Sequence, residues 1–182
     1  MGDGDIKRLE ELTHFSSFPH GKDGWLGRHW LTHAVDCGNL AAIEWVLSKK
    51  PAINYQDDEG ECALTSALQF EANAALWDDE DARLSAGDAV KRVIEIVNLL
   101  VREGADINQR LTLDKTPLHA AAHWSSPEVV RHLLALGADP NLRDCDYGFD
   151  APADCAKSSK RPEVETILRE AMQASSTGQK ST

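Results

Sequence analysis

Apolar positions along this chain keep a helical rhythm in short, paired stretches. Val90, Val93, Ile94, Val97, Leu100 and Val101 form one stripe at helical spacing, the pattern of a helix that buries a single face. Trp30 to Cys37 and Leu40 to Leu47 read as two further helices joined through Gly38-Asn39, and Ala63-Leu64-Thr65-Ser66-Ala67-Leu68 opens another. Ahead of them, Ile6, Leu9, Leu12 and Phe15 keep a three-residue rhythm that predicts a short capping helix. No uninterrupted apolar run approaches the ~20 residues of a membrane span.

The pairs recur along the chain. Gly104-Ala105-Asp106-Ile107-Asn108 precedes Gly137-Ala138-Asp139-Pro140-Asn141 by 33 residues, and Pro162-Glu163-Val164 follows Pro127-Glu128-Val129 by 35. Asn54 closes an earlier unit, and Ala151-Pro152-Ala153-Asp154 opens a fourth. The fullest unit starts Thr116-Pro117-Leu118-His119-Ala120-Ala121-Ala122, continues through an apolar stretch from Pro127 to Leu134, and ends at Gly137-Ala138-Asp139-Pro140-Asn141. Thr116 stands where it caps the first helix, with Pro117 in the first turn. Gly137 supplies the left-handed residue that ends the second helix. In motif and in period this unit resembles the ankyrin repeat. The resemblance covers roughly residues 24 to 170. It implies an all-α solenoid of stacked helical hairpins with short β-hairpin fingers. One domain is expected over 1–173, with an N-terminal cap over 1–22 and about four repeats from 23 to 173, followed by a disordered tail over 174–182.

The second unit departs from the pattern. Asn54 and Asn108 stand 54 residues apart, 21 more than the 33-residue spacing. Ala72, Ala74, Ala75 and Leu76 are strong helix formers, so the excess predicts a helical insertion near 70–90. Its tip lies at Trp77-Asp78-Asp79-Glu80-Asp81 between two lengthened helices. Two extra residues also widen the last finger around Asp146-Tyr147-Gly148-Phe149.

Charge narrows the possible partners. The 182 residues carry 19 Lys and Arg against 30 Asp and Glu, a formal charge of −11, with 42% hydrophobic residues. That composition folds, and its acid excess argues against sequence-independent binding to nucleic acid or anionic membrane. The acids are segregated. From Pro51 through Ala82 there is no Lys, Arg or His, while Asp57, Asp58, Glu59, Glu61, Glu71, Asp78, Asp79, Glu80 and Asp81 all fall there. Cys37, Cys62, Cys145 and Cys155 lie far apart with no Cys-x-x-Cys pair and read as reduced thiols. The acidic start Met1-Gly2-Asp3-Gly4-Asp5 has none of the features of an export signal, so a cytoplasmic chain is expected.

Candidate chemistry is sparse. His29 and His33 are four apart, as are His119 and His123, a spacing that suits zinc. Neither pair encloses the Glu of a zinc-protease helix, and both read as structural or surface histidines. The resemblance assigns His119 to hydrogen bonding with its own repeat. Asp144 to Asp150 lacks the ligand spacing and terminal Glu of a calcium loop. With no phosphate-binding Gly-rich loop and no nucleophile elbow, no catalytic, metal or cofactor site is expected.

The ankyrin pattern places the variable binding surface on the fingers and on the ends of the first helices. The fingers so assigned offer Trp25, Leu26, Arg28, Asp58, Glu59, Glu61, Thr112, Leu113 and Lys115, and the helix ends Asp36, Gln69, Phe70, His123 and Trp124. Of these, Trp25, Arg28, Asp58, Glu59, Glu61, Phe70, Lys115, His123 and Trp124 are the candidate contacts, joined by Trp77, Asp78 and Asp79 at the insertion tip. Exposed aromatics at such positions are typical anchors of an interface. Trp30 and Trp45 fall at packing positions. The expected function is therefore that of a protein–protein interaction module, monomeric when free and non-enzymatic. The resemblance, through the small stand-alone ankyrin proteins that serve as immunity proteins beside toxins, implies an inhibitory binder of the immunity or antitoxin type directed at a basic partner such as a nuclease toxin. The expected lack of a second domain favours this reading. The alternatives are a non-inhibitory scaffold or adaptor and, more weakly, a metal-binding or enzymatic protein that uses the histidine pairs.

Overall fold

A computed structural model describes residues 27–74, 84–145, 148 and 150–178. Eight helices follow one another as α1 Trp30–Asp36, α2 Leu40–Ser48, α3 Ala63–Ala74, α4 Ala86–Arg102, α5 Pro117–Trp124, α6 Pro127–Ala135, α7 Pro152–Ser158 and α8 Pro162–Gly178. They pack as four antiparallel pairs. The first helices stack in one layer, α1 on α3 on α5 on α7, and α4, α6 and α8 stack in the second. The predicted capping helix, the insertion tip and part of the widened finger lie outside the described residues. Among those described, no helix is long and apolar enough to cross a membrane, and all four cysteines are free.

Local chemistry sets the helix starts. Four of the eight begin with proline in the first turn, at Pro117, Pro127, Pro152 and Pro162. There the missing N–H costs nothing and the fixed φ is already helical. Asn39 caps α2 by accepting from the Ala42 N–H at 3.1 Å. Ser85 caps α4 by accepting from Asp88 N–H at 3.2 Å. The α3 and α4 helices run to 12 and 17 residues, against 7 and 9 for the α1–α2 pair.

Leu31, Leu64 and Leu118 occupy equivalent places on successive first helices, and Ile43, Ile96, Leu100, Leu133 and Leu168 face them from the second layer, all fully buried. Leu134 is only half-buried. Trp30 and Trp45 also remain partly exposed, so the packing role expected of them is a partial one. Lys49 lies 5.2 Å above the Trp45 ring and covers part of it.

Two recurring devices hold the units in register. The first closes the second helix of a pair: the Ala105 N–H donates to Leu100 O at 2.9 Å and the Ala138 N–H to Leu133 O at 3.0 Å. These bonds wrap residues at φ 103° and 96°, Gly104 and Gly137, a geometry that glycine adopts without a Cβ penalty. The second device links neighbours. Asn54 donates through Nδ2 to Gly104 O at 3.3 Å and accepts at Oδ1 from the Asp106 N–H at 2.8 Å. Asn108 repeats the pair one unit on, to Gly137 O at 3.1 Å and from Asp139 N–H at 2.8 Å.

A third pattern caps the first helices. The third helical residue accepts from the backbone N–H of the residue before the helix: Thr65 Oγ1 from Cys62 at 2.9 Å, His119 Nδ1 from Thr116 at 3.0 Å, and Asp154 Oδ2 from Ala151 at 3.1 Å. Three side chains of different chemistry therefore satisfy the same orphan donor. With Nδ1 accepting, Nε2 carries the proton and donates to Asp150 O at 3.1 Å in the next unit. Burial holds the imidazole below its ordinary pKa.

Two sequence expectations change here. Among the described residues there is no β-strand beyond an isolated bridge at His29, so the fingers are turns rather than β-hairpins. Their ends are joined by backbone bonds from Asp57 N–H to Glu61 O at 2.9 Å, Leu111 N–H to Lys115 O at 2.8 Å and Asp144 N–H to Asp150 O at 3.0 Å. Segments this short leave no room for a ladder. The helix α8 also runs to Gly178, past the boundary expected at 174. Strong helix formers at 171–174 carry it into the serines, and Ser175 and Ser176 hydroxyls bond back to Ala171 O and Met172 O at 3.0 and 2.9 Å.

Two outcomes test this framework. Asn108→Ala removes both inter-unit bonds and is expected to cost about 1–2 kcal/mol in urea denaturation. Asn141→Ala, whose side-chain amide bonds only to Asp139, should cost less. For His119, the lowered native pKa means the unfolded chain takes up the proton first as the pH falls. Its stabilising contribution is present above about pH 6.5 and is lost as the pH drops through the native value. Melting temperatures at pH 7.5 and 5.5 should therefore differ more for the parent than for His119→Thr, which keeps an acceptor of the kind Thr65 provides.

Candidate functional site

The fingers at 57–61 and 111–115 stand over the first helices α3 and α5 and leave an open groove of about 350 Å³. Side chains from five elements reach it: Glu59 and Glu61, Gln69, Leu113 and Lys115, His119, His123 and Trp124, and Cys155 of α7.

The acidic wall is built by a buried carboxylate. Asp57 Oδ1 accepts from the Glu59 N–H at 3.0 Å and the Glu61 N–H at 2.8 Å, while Arg28 Nε lies 3.7 Å from Asp57 Oδ2. Asp57 is thus a structural residue that holds Glu59 and Glu61 in place. Glu71 likewise works inside the fold, accepting from Ser126 N–H at 2.9 Å. Of the five segregated acids among the described residues, Asp57 and Glu71 are therefore internal.

The opposite wall is apolar. Trp124, at the end of α5, is 52% exposed, and Leu113, at the tip of its finger, is 46% exposed. Leu113 and Asp114 both take left-handed backbone angles, φ 60° and 57°, unfavourable for residues with a Cβ. Arg110 holds the turn by donating to Asp114 O at 2.7 Å and to Arg143 O at 2.6 Å. The Cys145 N–H donates to Leu113 O at 2.8 Å. The turn projects an apolar side chain outward. Next to Trp124, His123 packs its ring perpendicular to the indole with centroids 4.3 Å apart, and its Nδ1 contacts Ser159 Oγ.

Of the residues expected at the site, Glu59, Glu61, Lys115, His123 and Trp124 come together in the groove. Asp58 is exposed but turned toward Gly27, where an added Cβ would meet its carboxylate at 2.5 Å. Arg28 lies outside the groove, its Nη1 on Asp36 Oδ2 at 2.6 Å. Phe70 is a correction. Only 2% exposed, it belongs to the core, because Gly38 lets the ring approach so closely that a Cβ there would sit 2.1 Å from it. Trp25, Trp77, Asp78 and Asp79 lie outside the described residues.

Sequence reasoning left Cys155 out of the site, while Leu113 and Gln69, both assigned to the variable surface, line the groove. Nothing in the sequence marks Cys155, which α7 brings to the groove from the next unit. Burial, reinforced by Asp144, pushes its thiol up to about 11, so the sulfur lines the groove as a neutral group rather than as a thiolate nucleophile.

The histidine pairs do not assemble a metal site. His29 is buried against Tyr55, with ring centroids 5.1 Å apart, and both ring nitrogens of His119 are used within the fold. Among the described residues no group of three or more His, Cys, Asp or Glu side chains is placed to hold a metal ion.

Comparison with known proteins agrees with this architecture. Residues 87–176, just under half of the chain, match the family described as "Ankyrin repeats (3 copies)". The chain is 40% identical over 72 residues to protein phosphatase 1 regulatory subunit 27 of Homo sapiens, covering 40% of this chain and 46% of that protein. It is 45% identical over 69 residues to human ankyrin repeat and SOCS box protein 5, covering 38% of this chain and 20% of the relative. A longer but weaker likeness, 29% over 154 residues, joins it to an L-asparaginase of Dirofilaria immitis, covering 75% of this chain and 25% of that enzyme. The chain thus spans less than half the length of these relatives. The Asn54 bonds to Gly104 and Asp106 extend the same inter-unit geometry upstream of the matched residues. Over residues 87–176, this chain is built of ankyrin repeats.

Proposed function

We propose that this chain is a non-enzymatic protein-binding module that takes a basic partner in its finger-lined groove and regulates it by occlusion. The observation that carries the reading is the groove itself. Glu59 and Glu61 stand on one side, and Trp124 and Leu113 on the other, exposed where the core would otherwise bury them. Exposed aromatic and aliphatic side chains rimmed by charge mark interaction surfaces. The formal charge of −11 favours a partner of opposite sign.

Support for regulation comes from a relative whose name makes it a regulatory subunit of a phosphatase. A basic enzyme, for example a nuclease whose substrate-binding face is cationic, fits the charge, and the immunity or antitoxin role is the inhibitory form of this reading. An adaptor role is the second reading. It is favoured by the relative whose name couples ankyrin repeats to a SOCS box, and it differs in leaving the bound partner active.

The two walls of the groove should fail differently once the partner is in hand. Glu59→Lys with Glu61→Lys is expected to slow association and flatten its salt dependence, since charges mainly steer encounter. Trp124→Ala is expected to raise the dissociation rate, at a cost of roughly 2 kcal/mol or more for an anchor residue. Surface plasmon resonance at two salt concentrations separates these effects. Unchanged affinity in both variants, or a partner with an acidic contact face, would refute the assignment. Partner activity measured with and without the bound chain decides between occlusion and recruitment.

A further inference from the structure

The groove's chemistry selects more than a basic surface. Glu61 is fixed at the base of its finger by its own backbone, the N–H on Asp57 Oδ1 at 2.8 Å and the carbonyl on the Asp57 N–H at 2.9 Å. Its Oε2 is shielded from solvent and has no hydrogen-bond partner among the described residues. A carboxylate oxygen withdrawn from water without a donor is unfavourable, and an incoming cation with N–H donors relieves it. Glu59 lines the same groove, and its other wall presents the half-exposed Trp124 indole beside Leu113.

These surfaces ask for one kind of group. The volume of about 350 Å³ admits a long side chain and its neighbours. A lysine ammonium satisfies a carboxylate but brings no flat face to an indole. A guanidinium does both, since it is planar, always charged, carries five donors, and stacks on aromatic rings.

We infer that the groove is a receptor for an arginine side chain presented by the partner, its guanidinium donating to Glu61 and Glu59 and stacking on Trp124, with the methylene stem over Leu113. Lys115 lines the same groove, and its positive charge opposes an incoming cation. The inference rests on the groove being the binding face.

Three pentapeptides serve as probes: acetyl-Gly-Leu-Arg-Leu-Gly-amide, its lysine counterpart, and its citrulline counterpart, which keeps the shape of arginine and loses the charge. Each is titrated at low ionic strength into the ¹⁵N-labelled full chain, with the Trp124 indole N–H signal identified by its loss in Trp124→Phe. The arginine peptide is expected to move that signal, the lysine peptide to bind at least fivefold more weakly, and the citrulline peptide to leave it in place. Glu61→Gln should weaken arginine binding at least tenfold while the remaining indole signals keep their positions, which shows an intact fold. Lys115→Met should tighten binding, a gain that misfolding cannot mimic. Equal binding of arginine and citrulline, equal binding of arginine and lysine, unchanged affinity in Glu61→Gln, or no response at millimolar arginine peptide would each overturn the inference. The broader reading is judged separately on the captured partner. Loss of its binding on Trp124→Ala, with Glu61→Gln neutral, sinks the arginine receptor and leaves the groove. Indifference to both substitutions sinks the groove itself.

Discussion

The amide of Asn108 reaches from the turn after α4 to the turn after α6, accepting from one backbone N–H and donating to one carbonyl, and Asn54 makes the same reach one unit earlier. A backbone donor and acceptor in each turn are thereby satisfied by the neighbouring unit rather than by water. Helical pairs that touch only their neighbours take their spacing from the bonds between adjacent units. The amides fix that spacing, and the apolar faces of the helices then meet in register. Leu31, Leu64 and Leu118 fall into line because the units are held at one repeat distance.

The groove follows from the same spacing. Fingers that are only turns gain rigidity from internal bonds, and each uses a different one. Asp57 ties Glu59 and Glu61 to its own carboxylate, while Arg110 clamps a left-handed turn that pushes Leu113 into solvent. Neighbouring fingers standing one repeat apart therefore present an acidic edge and an apolar edge to the same space. Binding chemistry is in this sense a by-product of register, because neither wall makes a groove without the other.

The repeat was legible because it depends on local chemistry. Proline in first turns, glycine after second helices and the recurring asparagine each have a mechanism that acts over a few residues. Glu59, Glu61, Lys115, His123 and Trp124 were also legible, since a regular solenoid converts sequence phase into position. The failures have physical reasons. Phe70 carries the phase of a surface residue, but a glycine one unit away opens a space that the ring fills. Asp57 looked like one more surface acid, yet its carboxylate is the finger's internal acceptor. The end of α8 was misplaced because a serine run reads as a tail, although hydroxyls can bond back to the carbonyls of a helix already under way.

Hydrogen–deuterium exchange on the chain, with and without its bound partner, tests the central claim most directly, because it reports which backbone segments the complex covers. The account predicts added protection at 57–61, at 111–115 and at the C-terminal end of α5, with α4, α6 and α8 unchanged. Protection confined to α4, α6 and α8, with both fingers exchanging as in the free chain, would contradict it.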